Sequence, residues 1–149
     1  MVTVSHFRED FPHLANLVHV LLSIGALFPV TLYWEGTNGI YVALIYFKYA
    51  VENIVTFILF VVFVVNILIL IAGVIENPIL HAWPKPRIMM LYAVLTGGVL
   101  IAGGIQIWQC TRLVTNVFYY ARFVTSCVFT WLLFFSQVAF LAYYFLRVH

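Results

Sequence analysis

Long apolar runs alternate with short polar segments along this chain, and four of the runs are long enough to cross a bilayer. A hydrocarbon core of about 30 Å needs about 20 apolar residues at a rise of about 1.5 Å each. Because lipid offers the backbone no hydrogen-bond partners, such runs form α-helices. The pattern therefore predicts an all-α, integral membrane four-helix bundle with short connections, whose helices cover about residues 14–34, 51–75, 88–108 and 121–146.

Local signals refine the first half of this pattern. Asp10 suits a helix cap and Pro12 a first turn, whereas Pro29 predicts a kink or an early end of the first helix. The two glycines within residues 35–39 predict a tight turn. Aromatic residues at interface depth predict that the second helix begins before the membrane, near Tyr41.

The basic residues bear on orientation. Four crossings place both termini on the same side of the membrane, together with the connection between the second and third helices. Four basic residues fall on that side and three on the other, which favours cytoplasmic or matrix termini under the positive-inside rule and leaves the organelle open. The first set is Arg8, Lys85, Arg87 and Arg147, and the second is Lys48, Arg112 and Arg122.

Composition narrows the class of protein. Of the 149 residues, 65% are hydrophobic and 8% are charged, against about 25% charged in a typical soluble domain. The net charge of +2 comes from scattered single residues, so no basic patch for nucleic acid is expected. We therefore expect residues 1–149 to form a single transmembrane domain without a soluble catalytic module.

Small residues are concentrated in the third helix. Their spacing removes bulk from the helix surface and lets another backbone approach closely. Two interpretations remain open, namely packing inside the protein's own bundle and contact with another subunit. Gly98→Leu is expected to damage assembly with partners more than Val99→Leu, because Val99 is expected to face lipid. The helix-packing residues are Ala93, Gly97, Gly98, Ala102, Gly103 and Gly104.

A polar stripe is predicted on the second helix. Lys48 and Glu52 are one turn apart and can form an ion pair. Asn66 lies about 40° from Glu52 around the helix axis, so all three should face protein. Three interpretations of Glu52 remain open: a proton carrier, a ligand to a partner's cation, or one half of an interfacial ion pair with Lys48.

A second polar stripe is predicted on the fourth helix. Its members lie within an arc of about 80° and are expected to hydrogen-bond either to the Glu52–Asn66 stripe or to Gln106 and Gln109. Structural hydrogen bonding is the expected role, because a transport pathway needs more charge along its length. The stripe consists of Arg122, Ser126, Thr130 and Gln137.

No motif for catalysis or for a cofactor is found. His13 and His19 are six residues apart and are expected to point to different sides of one helix, so no metal or haem site is predicted. Cys110 and Cys127 are expected to be free thiols. We therefore predict no metal, no cofactor and no catalytic residue.

Two family resemblances define alternatives. The size and the four crossings resemble those of MARVEL-type tetraspan proteins, which implies a self-associating protein that organises membranes or traffic. Residues 52–57 (ENIVTF) resemble the Glu-Asn-Ile helix of the MAPEG family, which implies a four-helix enzyme that conjugates glutathione. MAPEG proteins carry Asn and Arg shortly before that Glu, where this chain has Tyr49 and Ile45.

The prediction for function is a non-enzymatic tetraspan accessory or assembly subunit of a larger complex. Its expected partners are other integral membrane subunits or further copies of the chain, together with lipids. The MARVEL-like and MAPEG-like interpretations are the alternatives.

Overall fold

The computed structural model describes residues 11–34, 40–42, 50–75, 83–112 and 117–147. In chain order, its elements are α1 (Phe11–Thr31), β1 (Leu32–Trp34), β2 (Ile40–Val42), α2 (Ala50–Val74), α3 (Lys85–Arg112) and α4 (Val117–Arg147).

The four helices form a ring in which α1 packs against α2, α2 against α3, α3 against α4, and α4 against α1. One core cluster joins Ala26, Val55, Leu59 and Ala102. The cluster at the opposite end joins Ile69, Ile88, Tyr92, Phe140 and Tyr144. Neighbouring helices therefore run antiparallel, and the predicted all-α four-helix bundle is confirmed. We call its two ends the hairpin end, where α1 ends and α2 begins, and the terminal end, where α1 begins and α4 ends.

Each helix is long and apolar enough to cross a membrane. The spans are Pro12–Thr31, Val51–Val74, Lys85–Thr111 and Tyr120–Leu146, with 20, 24, 27 and 27 residues respectively. At about 1.5 Å per residue, even the shortest span covers a hydrocarbon core of about 30 Å. The structure therefore supports a multi-pass membrane protein.

A two-stranded hairpin follows α1 and corrects two predicted boundaries. The first helix ends at Thr31, two residues after Pro29, rather than at residue 34. Strand β1 then pairs antiparallel with β2, with Tyr33 opposite Tyr41. The prediction that the second helix begins near Tyr41 is wrong, because aromatic and β-branched residues on both sides of a glycine-containing connection favour strand pairing. The predicted turn at 35–39 lies outside the described residues.

The bundle interior has three layers. A central apolar layer is formed by Val62, Leu95, Val99 and Leu133. Buried polar side chains lie on both sides of it, toward the hairpin end and toward the terminal end. The apolar layer therefore separates two polar layers, which are described below.

Lys85 joins α3 to α4 at the terminal end. Its Nζ donates to the backbone carbonyl of Phe145 over 3.1 Å and lies 5.6 Å from the centroid of the Phe145 ring. A cation at the last turn of a helix is favourable because that end carries partial negative charge. This contact ties the start of one helix to the end of the next.

Candidate functional site

Polar side chains are buried inside the bundle, whereas exposed large hydrophobic residues occur on all four helices. In lipid, this is the arrangement that lets polar groups find partners. The buried polar residues among those described are His13, Asn16, His19, Ser23, Glu52, Thr56, Asn66, Thr96, Gln106, Gln109, Ser126, Thr130 and Gln137.

A hydrogen-bonded chain crosses the polar layer at the hairpin end. Gln106 Nε2 donates to Ser126 Oγ over 2.8 Å, and Ser126 Oγ donates to the carbonyl of Ala26. One turn away on α4, Arg122 Nη1 donates to the carbonyl of Pro29 over 3.5 Å. These contacts link α3, α4 and α1, so the fourth-helix stripe contacts Gln106 at this level.

Glu52 lies in the first turn of α2 and is fully buried in the same layer. The Gln106 side chain lies beside its carboxyl, but neither carboxyl oxygen meets hydrogen-bond geometry with a described residue. The thiols of Cys110 and Cys127 lie within electrostatic range of the same carboxyl. Glu52 therefore points into its own bundle rather than toward a partner. Lys48, its predicted ion-pair partner, lies outside the described residues.

Asn66 belongs to the other polar layer, toward the terminal end. Its Nδ2 donates to the carbonyl of Val62 over 3.0 Å, and Asn16 Nδ2 donates to the carbonyl of Asn66 over 3.3 Å. The stripe on α2 is thus divided by depth, because 14 residues of helix separate Glu52 from Asn66 by about 21 Å.

The fourth-helix stripe is likewise spread over depth. Thr130 Oγ1 donates to the carbonyl of Ser126 in its own helix over 2.8 Å. Gln137 is fully buried further toward the terminal end, and neither polar atom of its side-chain amide has a hydrogen-bond partner among the described residues. The residues of the fourth-helix stripe therefore do not form one continuous chain of hydrogen bonds.

His19 occupies the centre of the terminal-end layer. Its ring centroid lies 5.8 Å from that of Tyr92 and 5.8 Å from that of Phe140, and Tyr92 and Phe140 are 4.4 Å apart. This cluster was not predicted from the sequence. The available signal was the spacing of Asn16, His19 and Ser23, which places all three on one face of the first helix.

His13 and His19, which are predicted to point to different sides of the first helix, are both buried. A group of three or more metal-ligating side chains is not found in the part of the chain that the structure describes.

Three of the predicted helix-packing residues face the protein's own bundle. Ala102 is fully buried, and a Cβ added to Gly103 would lie 3.0 Å from the Trp131 ring. A Cβ added to Gly98 would lie 3.4 Å from Ile58 Cγ2. These small residues let α3 approach α2 and α4 closely.

The other three face outward. Ala93 and Gly104 are exposed and Gly97 is half-buried. A Cβ added to Gly97 or Gly104 would meet no atom within 4 Å. Val99 is fully buried, so the prediction that it faces lipid is wrong, and it is no suitable control for Gly98.

Apolar grooves on the outside of the bundle include one between α3 and α4 and one between α1 and α2. The groove between α3 and α4 has a volume of about 380 Å³, and its lining includes Cys110, Cys127 and Trp131. The groove between α1 and α2 has a volume of about 390 Å³, and its lining includes Asn53 and Thr56. Both grooves bring lipid-facing surface close to the hairpin-end polar layer.

Comparisons with known proteins place no further constraint on this site. No family model, no curated protein and no solved structure matches the chain.

Proposed function

We propose that this protein is a non-enzymatic tetraspan accessory subunit that packs the outer face of its third helix against another transmembrane helix. The observation that supports the proposal is the set of small residues on α3 that the protein's own bundle leaves uncovered. We call this surface the outer α3 face and define it by Ala93, Gly97, Gly104 and Thr111.

The outer α3 face is narrow, and its members are spaced four or seven residues apart along the helix. At about 100° per residue, its four members fall within an arc of about 40°. Ala93, Gly104 and Thr111 are exposed, and Gly97 meets no neighbouring atom at its Cβ position. A second helix could approach this face closely and gain dispersion contacts that lipid chains cannot match.

The distribution of polar groups supports an interface that depends on close packing rather than on hydrogen bonds to the partner. The polar stripes of α2 and α4 are directed into the bundle, where Gln106, Ser126 and Ala26 are already linked by hydrogen bonds. A partner helix would therefore meet apolar and small residues rather than hydrogen-bonding groups. Such an interface depends on shape and tolerates little added bulk.

The positions of the MAPEG-like residues favour the non-enzymatic interpretation. Glutathione is anionic and is bound through charge-assisted hydrogen bonds from cations. Glu52 is fully buried, Ile54 and Phe57 are exposed on the lipid-facing side, and the Arg122 guanidinium is directed to the carbonyl of Pro29. This segment therefore offers no exposed cation for such a substrate within the described residues.

Substitution on the outer α3 face tests the proposal. Gly104→Leu should reduce co-purification of the partner about tenfold or more. The added side chain forces the two helices apart, and its own contacts do not compensate for the packing that is lost. Val94→Leu is the matched control, since Val94 is 69% exposed on an adjacent face of the same helix. The measurement is native electrophoresis of a mild detergent extract with identification of every co-migrating protein.

The same experiment separates the alternatives. A stoichiometric set of other proteins supports an accessory subunit, and a ladder of this chain alone supports MARVEL-like self-association through the same face. Equal complexes in Gly104→Leu and Val94→Leu would contradict the role of the outer α3 face. A single trimer that binds glutathione would support the enzyme.

Orientation is part of the proposal: both termini lie on the same side of the membrane, and the cytoplasmic or matrix side is favoured. In a background without native cysteines, Gly36→Cys and Asn116→Cys should react with an impermeant thiol reagent from one side. Asn77→Cys should react only from the other side. Labelling of Gly36→Cys and Asn77→Cys from the same side would exclude four crossings.

A further inference from the structure

Several buried acceptor oxygens of the hairpin-end layer, including those of its one described carboxylate, have no partner among the described residues. Glu52, Gln106 and Gln109 are all fully buried. Both carboxyl oxygens of Glu52 and the Oε1 atoms of both glutamines have no hydrogen-bond partner among the described residues. Thr56 lies one turn after Glu52, and its Oγ1 is also buried without a hydrogen-bond partner among the described residues.

Helix geometry places these groups at one depth. Leu59 of α2 and Ala102 of α3 belong to the same core cluster. Glu52 lies about two turns before Leu59, and Gln109 lies about two turns after Ala102, so antiparallel packing brings both to the same level. The Gln106 side chain is already beside the Glu52 carboxyl.

An ionised carboxylate in this environment needs a positive charge close to it. Its burial without a counter-charge is strongly unfavourable, and ionisable groups inside membrane helices are commonly part of ion or proton sites. A proton on Glu52 satisfies one acceptor oxygen, whereas a hard cation contacts several oxygens at once. One carboxylate balances one positive charge, so a monovalent cation neutralises the Glu52 carboxylate.

We propose that Glu52, Gln106 and Gln109 form a membrane-buried site for one alkali-metal cation, Na⁺ or K⁺, with the proton as its competitor at the same carboxylate. Thr56 Oγ1 supplies a further oxygen one turn away. The site lies inside the bundle and does not depend on the outer α3 face.

Among the described residues, the charged and titratable neighbours are compatible with this site, and Lys48 lies outside them. The thiols of Cys110 on α3 and Cys127 on α4 lie within electrostatic range of the Glu52 carboxyl. The Arg122 guanidinium on α4 hydrogen-bonds to the carbonyl of Pro29 on α1. The segment of α1 packed at this level, Ala26 to Val30, contains no titratable side chain.

Lipid-soluble reagents have a short path to the site. Thr56 lines the groove between α1 and α2, and Cys110 and Cys127 line the groove between α3 and α4. Dicyclohexylcarbodiimide partitions into membranes and reacts with protonated carboxyl groups. It therefore reports whether Glu52 holds a proton or is protected by a cation.

The experiment measures carbodiimide labelling of Glu52 by peptide mapping, with the intact protein in vesicles at fixed pH. Replacing choline chloride with sodium or potassium chloride at constant ionic strength should slow labelling. The decrease should reach about tenfold when the cation is about ten times above its dissociation constant. Protection by sodium alone, potassium alone or both identifies the preferred cation.

Variants test the amide oxygens. Gln109→Leu should raise the salt concentration for half-protection about tenfold, as expected for the loss of one polar contact to a charge. Thr96→Val is the control, because Thr96 is a buried polar residue of the same helix outside the site. If both variants need the same salt concentration for half-protection of Glu52, Gln109 is not part of the site.

Two results overturn the proposal itself. Labelling of Glu52 at the same rate in sodium, potassium and choline chloride would show that the carboxyl exchanges protons only. If Glu52 does not react with the reagent, the melting temperature of the protein is compared in sodium, potassium and choline chloride instead. Equal melting temperatures in all three would then exclude a cation site.

Discussion

Phe140→Ala is expected to lower the free energy of unfolding in detergent by about 3 kcal/mol, the lower end of the range for such truncations in soluble cores. Phe140 is 1% exposed, and its ring contacts those of His19, Tyr92 and Tyr144. Detergent replaces water as the surrounding medium, so the loss comes mainly from dispersion contacts around the new cavity. Thermal unfolding monitored by circular dichroism measures it.

Phe135→Ala is the matched control for this prediction. Phe135 lies on the same helix and is 62% exposed, and its ring contacts are with Trp131 and Phe134 of that helix, so its truncation mainly replaces contacts with lipid or detergent by others of the same kind. We expect the free energy of unfolding of Phe135→Ala to remain close to that of the unmodified chain. Equal destabilisation by the two truncations would contradict the placement of the terminal-end aromatic cluster inside the bundle.

Gly25→Leu is expected to be the second most damaging substitution, with a cost of about 1–3 kcal/mol. A Cβ at position 25 would lie 2.5 Å from Phe129 Cδ1, closer than any van der Waals contact allows. The Phe129 ring would have to move, and with it the contact between α1 and α4. The measurement is thermal unfolding of the purified chain.

Gly104→Leu provides the comparison for Gly25→Leu. Position 104 has no neighbouring atom within 4 Å, so the folded chain should accept leucine without loss of stability. Leucine also has the higher helix propensity. Gly25→Leu should thus destabilise the isolated chain, whereas Gly104→Leu should affect only its complexes. If Gly104→Leu destabilised the isolated chain and Gly25→Leu did not, the assignment of Gly25 to the bundle interior and of Gly104 to the outer surface would be wrong.

Hydropathy and length predicted the helices well because a membrane span is defined by one physical requirement, about 20 apolar residues with internal hydrogen bonds. The hairpin at Leu32–Trp34 and Ile40–Val42 was missed because its aromatic and aliphatic residues continue the apolar pattern of the first helix. The length criterion does not distinguish a strand from the end of a membrane helix.

Which face of each helix points inward was harder to predict. The lipid and the bundle interior are both apolar, so Val99 gives no sequence signal of its burial. Small residues mark close approach but not the partner, and they proved to be divided between the bundle and the outer α3 face. Helical periodicity placed Glu52 and Asn66 on one face, yet a shared face does not place two residues at the same depth.

The outer α3 face is most directly tested by cross-linking in intact membranes. Leu100 is 45% exposed and lies between Gly97 and Gly104 on the same side of α3, so a photoreactive residue there keeps both glycines. Leu68, 56% exposed on α2, is the reference position. We predict that position 100 forms one specific adduct with a membrane protein or a second copy of the chain, whereas position 68 reacts with lipid. Lipid adducts alone at both positions would contradict the proposal that this protein assembles through its third helix.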